Sequence, residues 1–187
     1  MAGEPTYTGD KLHEQFAISI AIDKGYAGAR LFSALSPLQS LRITRWDAEG
    51  GIEEAADPNY TQNEVYGRAE PYQSYNNTGA RTITISCLFH CENGDPKQEV
   101  VIPSRFLDAL KYPLYDTAKG ISYAPPPVFL EIGQLISARC VITACSVKWV
   151  GPFEPVSLLP HGSEVSLTLT VVRSAQRVGY AFDGVWK

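Results

Sequence analysis

The chain has 187 residues, 44% of them hydrophobic and 19% charged, and a formal net charge of -4. That describes one globular domain able to bury a core, and it excludes a general attraction to nucleic acid, which needs a concentrated basic surface. No apolar run approaches the roughly 20 residues that span a bilayer, and Met1-Ala2-Gly3-Glu4-Pro5 has no signal-peptide features, so a cytosolic start is expected.

Residues 1–15 are polar and aperiodic and read as an arm. Phe16 to Ile22 alternates large and small, predicting a strand with Phe16, Ile18, Ile20 and Ile22 inward. Ala27 to Leu35 is compatible with a short helix or irregular chain, ended by Pro37. Ser40 to Trp46 predicts a second strand. Residues 47–70 carry Asp47, Glu49, Glu53, Glu54, Asp57, Glu64 and Glu70 against Arg68 alone. This stretch reads as a solvated acidic loop inserted in the domain; the alternative is a surface that keeps acidic partners from sticking.

Asn76-Asn77-Thr78-Gly79 is a turn signal that runs into a period-2 segment, Thr82 to Phe89. Ile83, Ile85, Cys87 and Phe89 share one side, and Thr82, Thr84, Ser86 and Leu88 the other. The second side is rich in hydroxyls and has no charge between Arg81 and His90, an unusual face for plain solvent. Glu92 to Pro96 predicts a turn, Val100 to Ile102 a short apolar run, and Ser104 the cap of a short helix through Lys111 with Phe106, Leu107 and Leu110 inward. Tyr112 to Tyr115 and Tyr123 to Pro127 bracket a loop. The three-proline run fits a stiff lead-in to a strand at Val128 to Ile132, or a polyproline ligand. Arg139 to Trp149 is a further strand, and Gly151 to Gly162 a proline-stiffened connection. Glu164 to Val172 is the cleanest strand: Val165, Leu167, Leu169 and Val171 face one way, and Glu164, Ser166, Thr168 and Thr170 the other. From Ser174 the tail carries Tyr180, Phe182 and Trp186, aromatics expected to dock on something.

Site chemistry is thin. His13, His90 and His161 lie in no nucleophile arrangement, and there is neither a Gly-x-Ser-x-Gly elbow nor a phosphate-binding loop. Cys87, Cys91, Cys140 and Cys145 lack zinc-knuckle spacing and read as reduced packing residues. No catalytic, metal or cofactor residues are expected, and Arg81 and Arg139 read as ordinary surface or interface arginines. Two non-enzymatic readings follow. One is assembly through strands with hydroxyl faces. The other is a carbohydrate- or peptide-binding module stacking ligand on Trp46, Tyr72, Tyr75 or Trp149.

Five segments in order, Tyr75 to Ile83, Phe106 to Tyr115, Pro125 to Gly133, Trp149 to Phe153 and Leu159 to Leu167, together resemble baseplate proteins of contractile-tailed bacteriophages that join the central hub to the tail tube. The likeness covers roughly residues 70 to 173 and leaves 1–68 without a match. It implies a mainly β, α+β fold: a tail-tube-like β-sandwich or barrel over residues 16–173, one flanking helix, and strands given to a barrel shared between subunits. It further implies a homo-hexameric ring in the virion, assembled in the host bacterial cytoplasm between hub and tail tube proteins. DNA would touch such a ring only in passing through its lumen, and no membrane, cofactor or catalytic residue is involved. On this view Thr82, Thr84, Ser86, Ser166, Thr168 and Thr170 face the channel or a neighbouring subunit.

Overall fold

A computed structural model describes residues 18–44, 51–64, 66–67, 69–92, 94–133 and 135–172. The expected arm at 1–15, Phe16, Trp46, and the tail residues Tyr180, Phe182 and Trp186 lie outside these residues.

The described chain is mainly β with two helices, as expected for a β-rich α+β domain. Its strands are β1 (Ile18–Ile22), β2 (Ser40–Ile43), β3 (Ile52–Ala55), β4 (Pro58–Asn63), β5 (Tyr72–Thr78), β6 (Thr82–His90), β7 (Leu114–Asp116), β8 (Ile121–Tyr123), β9 (Val128–Ile132), β10 (Ile136–Phe153) and β11 (Pro160–Val171). Seven of them form one open antiparallel sheet in the order β2-β1-β9-β10-β11-β6-β3. Two small two-stranded sheets, β4–β5 and β7–β8, stand apart from it.

Period-2 patterning puts the core on one face of the large sheet. Val128, Leu130 and Ile132 of β9 are buried, as are Val165, Leu167 and Leu169 of β11 and Ile83, Ile85 and Cys87 of β6. In β10 the core parity runs Ile136, Ala138, Cys140, Ile142; a register shift between Ile142 and Ala144 then moves it to Cys145 and Val147. That is the signature of a β-bulge, which adds one unpaired residue and bends the strand. Helices α1 (Ala29–Leu35) and α2 (Ile102–Ala109) cover this same face, Phe32 meeting Phe106 edge to face at 6.1 Å while Leu107 and Leu110 are fully buried. The sheet curls over this core. Leu41 and Arg42 of β2, at one end of the strand order, share a groove of about 330 Å³ with Leu88, Phe89 and His90 of β6 near the other.

Several expectations need correcting. Asn76 to Thr78 is strand, not turn; the chain turns only after Gly79, whose N–H donates to the Asp57 carbonyl at 2.7 Å. Residues 47–70 are not one solvated loop. Ile52 aligns with Ile85 and packs against the core, so β3 forms as the edge of the sheet despite Glu53 and Glu54, and β4 pairs with β5. Partial burial of one isoleucine and an ion pair from Glu54 to Arg81 offset the acidic composition that argued for a loop. Ser104 is not a cap. The helical segment opens at Asp95-Pro96, where the Asp95 carboxylate accepts from the Lys97 N–H at 2.9 Å, and a π-helical stretch, Lys97–Val101, leads into α2. An Asp before Pro is a strong helix start, and the apolar run hid it. Gly151 to Gly162 is half strand, since β10 and β11 continue to Phe153 and from Pro160 around a turn at residues 154–159. Likewise the Tyr112–Tyr123 loop holds the β7–β8 hairpin, turned at Gly120 with φ +63°.

Candidate functional site

The uncovered face of the sheet carries the six predicted hydroxyl residues, and register brings all six together. Thr82 lies opposite Thr170, Thr84 opposite Thr168, and Ser86 opposite Ser166 across β6 and β11. Residues directly opposite on one face hold their Cβ atoms about 4.5–5.5 Å apart, so the three pairs make a continuous ladder. Strand β10 extends it, with Ser146 opposite Ser166 and Val141 opposite Thr170. The hydroxyls bond locally: Thr143 Oγ1 donates to the Thr168 carbonyl at 3.1 Å and accepts from Thr170 Oγ1 at 3.4 Å, and Thr82 Oγ1 donates to the Ala55 carbonyl at 3.3 Å. Five of the six residues are half-buried by their neighbours in the sheet and Ser166 is exposed. Both helices lie on the opposite, apolar face.

The face is less free of charge than β6 alone suggests. Glu53 of β3 lies opposite Thr84. Beyond the serines, Lys148 of β10 and Glu164 of β11 form a pair at 2.8 Å. The patch therefore presents hydroxyls bounded by one acid and two internally neutralised pairs, Lys148–Glu164 and, two residues before Val141 on β10, Arg139–Asp23, and among the described residues no unpaired base stands over the ladder. Sequence reading missed Glu53 because the strand carrying it looked like loop.

The arginines singled out in the sequence are engaged within the chain: Arg139 Nη2 lies 2.6 Å from Asp23 Oδ2, and Arg81 pairs with Glu54. The aromatic platform is divided. Tyr72 and Tyr75 sit on the β4–β5 hairpin, whereas Trp149 lies at the far end of β10 under the Arg105 guanidinium, 5.6 Å from its ring centre. The thiols sit on the apolar side. Burial, with a smaller contribution from neighbouring Cys145, pushes Cys87 up to about 12, and burial also raises Cys140 and Cys145 to about 11. Such thiols are protonated and unreactive at neutral pH. Among the described residues no helix is long and apolar enough to cross a membrane.

Two exposed surfaces emerge only with the fold, although the sequence already marks Tyr72 and Tyr75 of the first as a stacking platform. One is the β4–β5 hairpin, with Tyr60 and Tyr75 in edge-to-face contact at 5.6 Å. The other is the β10–β11 turn, which exposes Phe153, Val156 and Leu158. The signal for the first was present as tyrosines alternating with Asn, Gln, Ser and Thr, in a stretch whose Asn-Asn-Thr-Gly suggested a turn.

No family model matches the chain, and no curated protein matches it. Among solved structures it is similar to a chain of "Tail of empty GTA particle computed with helical refinement, C6 symmetry", at 10% identity and a TM-score of 0.39, covering 86% of this chain and 93% of that one. A likeness that loose carries no inference.

Proposed function

We propose that this chain is a non-enzymatic structural subunit of a phage tail, forming a ring between the central hub and the tail tube with its hydroxyl face turned to the DNA channel. The observation that carries the reading is the ladder Thr82–Thr170, Thr84–Thr168, Ser86–Ser166 on a face left open by both helices. Basic contacts are what hold phosphate, so a wall of hydroxyls lets a polyanion pass without being retained. Two further features support assembly. The sheet ends in edge strands β2 and β3, whose outer backbone groups offer pairing to a neighbouring copy. The motifs between Tyr75 and Leu167 resemble those of baseplate proteins, which supplies the ring and its position. In this reading six copies surround the lumen, hub and tube proteins are the axial neighbours, and the ring is a virion component assembled in the bacterial cytoplasm.

The test is the protein content of purified particles by mass spectrometry, with imaging of the tail end. A ring of this chain at the hub-to-tube junction is expected. A protein missing from particles and making no ring ends the reading.

A further inference from the structure

The β4–β5 hairpin and the β10–β11 turn pack on nothing else among the described residues, and their chemistry and placement match. The hairpin is an arm about 20 Å long, at about 3.3 Å per residue. Nearly every residue of its two strands is exposed, including Tyr60, Tyr72 and Tyr75. A lone two-stranded hairpin is marginal in water and needs a surface to lie on. Pro58–Asn63 and Tyr72–Thr78 contain no charged residue. Tyrosine with uncharged Asn, Gln, Ser and Thr is the composition of a protein-contact surface rather than a solvated one.

The turn is built rather than loose. The Glu154 N–H donates to the Leu159 carbonyl at 2.9 Å and the Leu158 N–H to the Glu154 carbonyl at 2.8 Å. Within it Leu158 holds φ +55°, a left-handed conformation costly for a leucine, and so displays its side chain 73% exposed beside Val156 at 93%. The fold's core makes no use of that display.

Register puts the two surfaces at opposite ends of the same strands. The arm leaves β6 just before Thr82, which pairs with Thr170, while the turn extends beyond Gly162, which pairs with His90. The nine residues of β6 separate them by about 30 Å, so one copy cannot satisfy both surfaces by itself. We infer that the β4–β5 arm of one copy docks on the β10–β11 turn of a second copy, a head-to-tail contact. Tyrosine rings cover Phe153, Val156 and Leu158, while the one charge of the turn, the Glu154 carboxylate, accepts from the Ser157 hydroxyl and so is not left without a donor. A contact between two different patches repeats from copy to copy. The inference rests on the assembly reading only in requiring that copies meet; rings closed through β2 and β3 do not depend on it.

The test uses the full chain in sedimentation equilibrium, with Tyr60→Ser/Tyr75→Ser as the arm variant and Phe153→Ser/Val156→Ser as the turn variant. Both lie off the core, so circular dichroism is expected unchanged. Wild type is expected to self-associate, and each variant to do so at least about tenfold more weakly, as for loss of aromatic anchors. An equal mixture of the two variants should form a dimer, because each keeps the surface the other needs. The contact is overturned if wild type stays monomeric at every concentration, if both variants associate as wild type does, or if the mixture stays monomeric. Particles that contain the ring and tolerate both variants overturn this contact and leave the ring standing. A chain absent from particles overturns the ring, while the sedimentation result still decides the contact.

Discussion

Charge on the hydroxyl ladder is the perturbation that separates a channel wall from an ordinary sheet face. Thr84 lies between Glu53 on β3 and Thr168 on β11. Thr84→Lys sets an ammonium beside Glu53, favourable by roughly 0.2–1 kcal/mol, against a loss of strand preference of similar size. The single variant is therefore expected within about 0.5 kcal/mol of wild type. Thr84→Lys/Thr168→Lys places like charges directly opposite and is expected to cost up to about 1 kcal/mol, a fall in Tm of about 2–4 °C. Folding and incorporation into particles survive that change. If the face lines a channel, each copy now offers two cations to passing phosphates, and every contact adds about 0.9 to the salt slope of binding. DNA release from triggered particles should slow at low salt and recover as salt rises, while Thr84→Gln/Thr168→Gln behaves as wild type. Incorporated lysine particles that release DNA at the wild-type rate at both salt concentrations refute the channel assignment.

Further tests bear on the scaffold that holds this face. Ser104 and Ser163 are buried with their hydroxyls 2.7 Å apart, and Ser104 Oγ also donates to the Val100 carbonyl at 2.7 Å, which leaves Ser163 as donor between the two. Ser104→Ala strands the Ser163 O–H and is expected to cost about 1–3 kcal/mol; Ser163→Ala should cost less, and the double variant less than the sum, read from urea midpoints. Leu107→Ala empties a fully buried position beneath the sheet and is expected to lower stability by about 2–5 kcal/mol by the same measurement. Cys87 is raised from 9.0 to about 12, so it stays protonated in the fold while the unfolded thiol ionises. Its contribution is complete below about pH 9 and is lost as pH rises toward 12, at about 1.4 kcal/mol per pH unit. A Cys87→Val variant should show a correspondingly shallower decline of urea midpoint above pH 9.

What was legible in the sequence was whatever the period of two could show. β6, β9 and β11 were readable because alternate residues enter a common core, as with Val128, Leu130 and Ile132 or Val165, Leu167 and Leu169. The β10 strand was visible only in part, because the bulge near Thr143 changes its parity midway. β3 was invisible for a different reason: an edge strand buries little, and Ile52 alone had to outweigh two glutamates. The arm was hidden because neither face packs on other described residues, leaving no apolar stripe to find. Candidate sites followed the same division. The ladder was available from alternation, whereas Glu53, the arm and the turn depend on pairings between residues far apart in sequence.

Strand preference alone does not account for the ladder. Threonine favours strands, so Thr82, Thr84, Thr168 and Thr170 need no other explanation. Serine has no such preference, yet Ser86, Ser166 and Ser146 lie side by side across β6, β11 and β10. The core fixes the register of these strands, because a slip of one residue would turn Ile85 and Leu167 outward. It places no demand on which polar residue stands opposite which. A solvated antiparallel face commonly meets this freedom with charged side chains, and the next row does so with Lys148 and Glu164. Three adjacent rows of small hydroxyls on β6 and β11, with Glu53 only at the β3 edge of the middle row and charge resuming at Lys148 and Glu164, point to a second constraint acting on that surface. Contact with a sliding polyanion is one that excludes lysine and arginine while permitting serine, which is why the lysine variants are the decisive measurement.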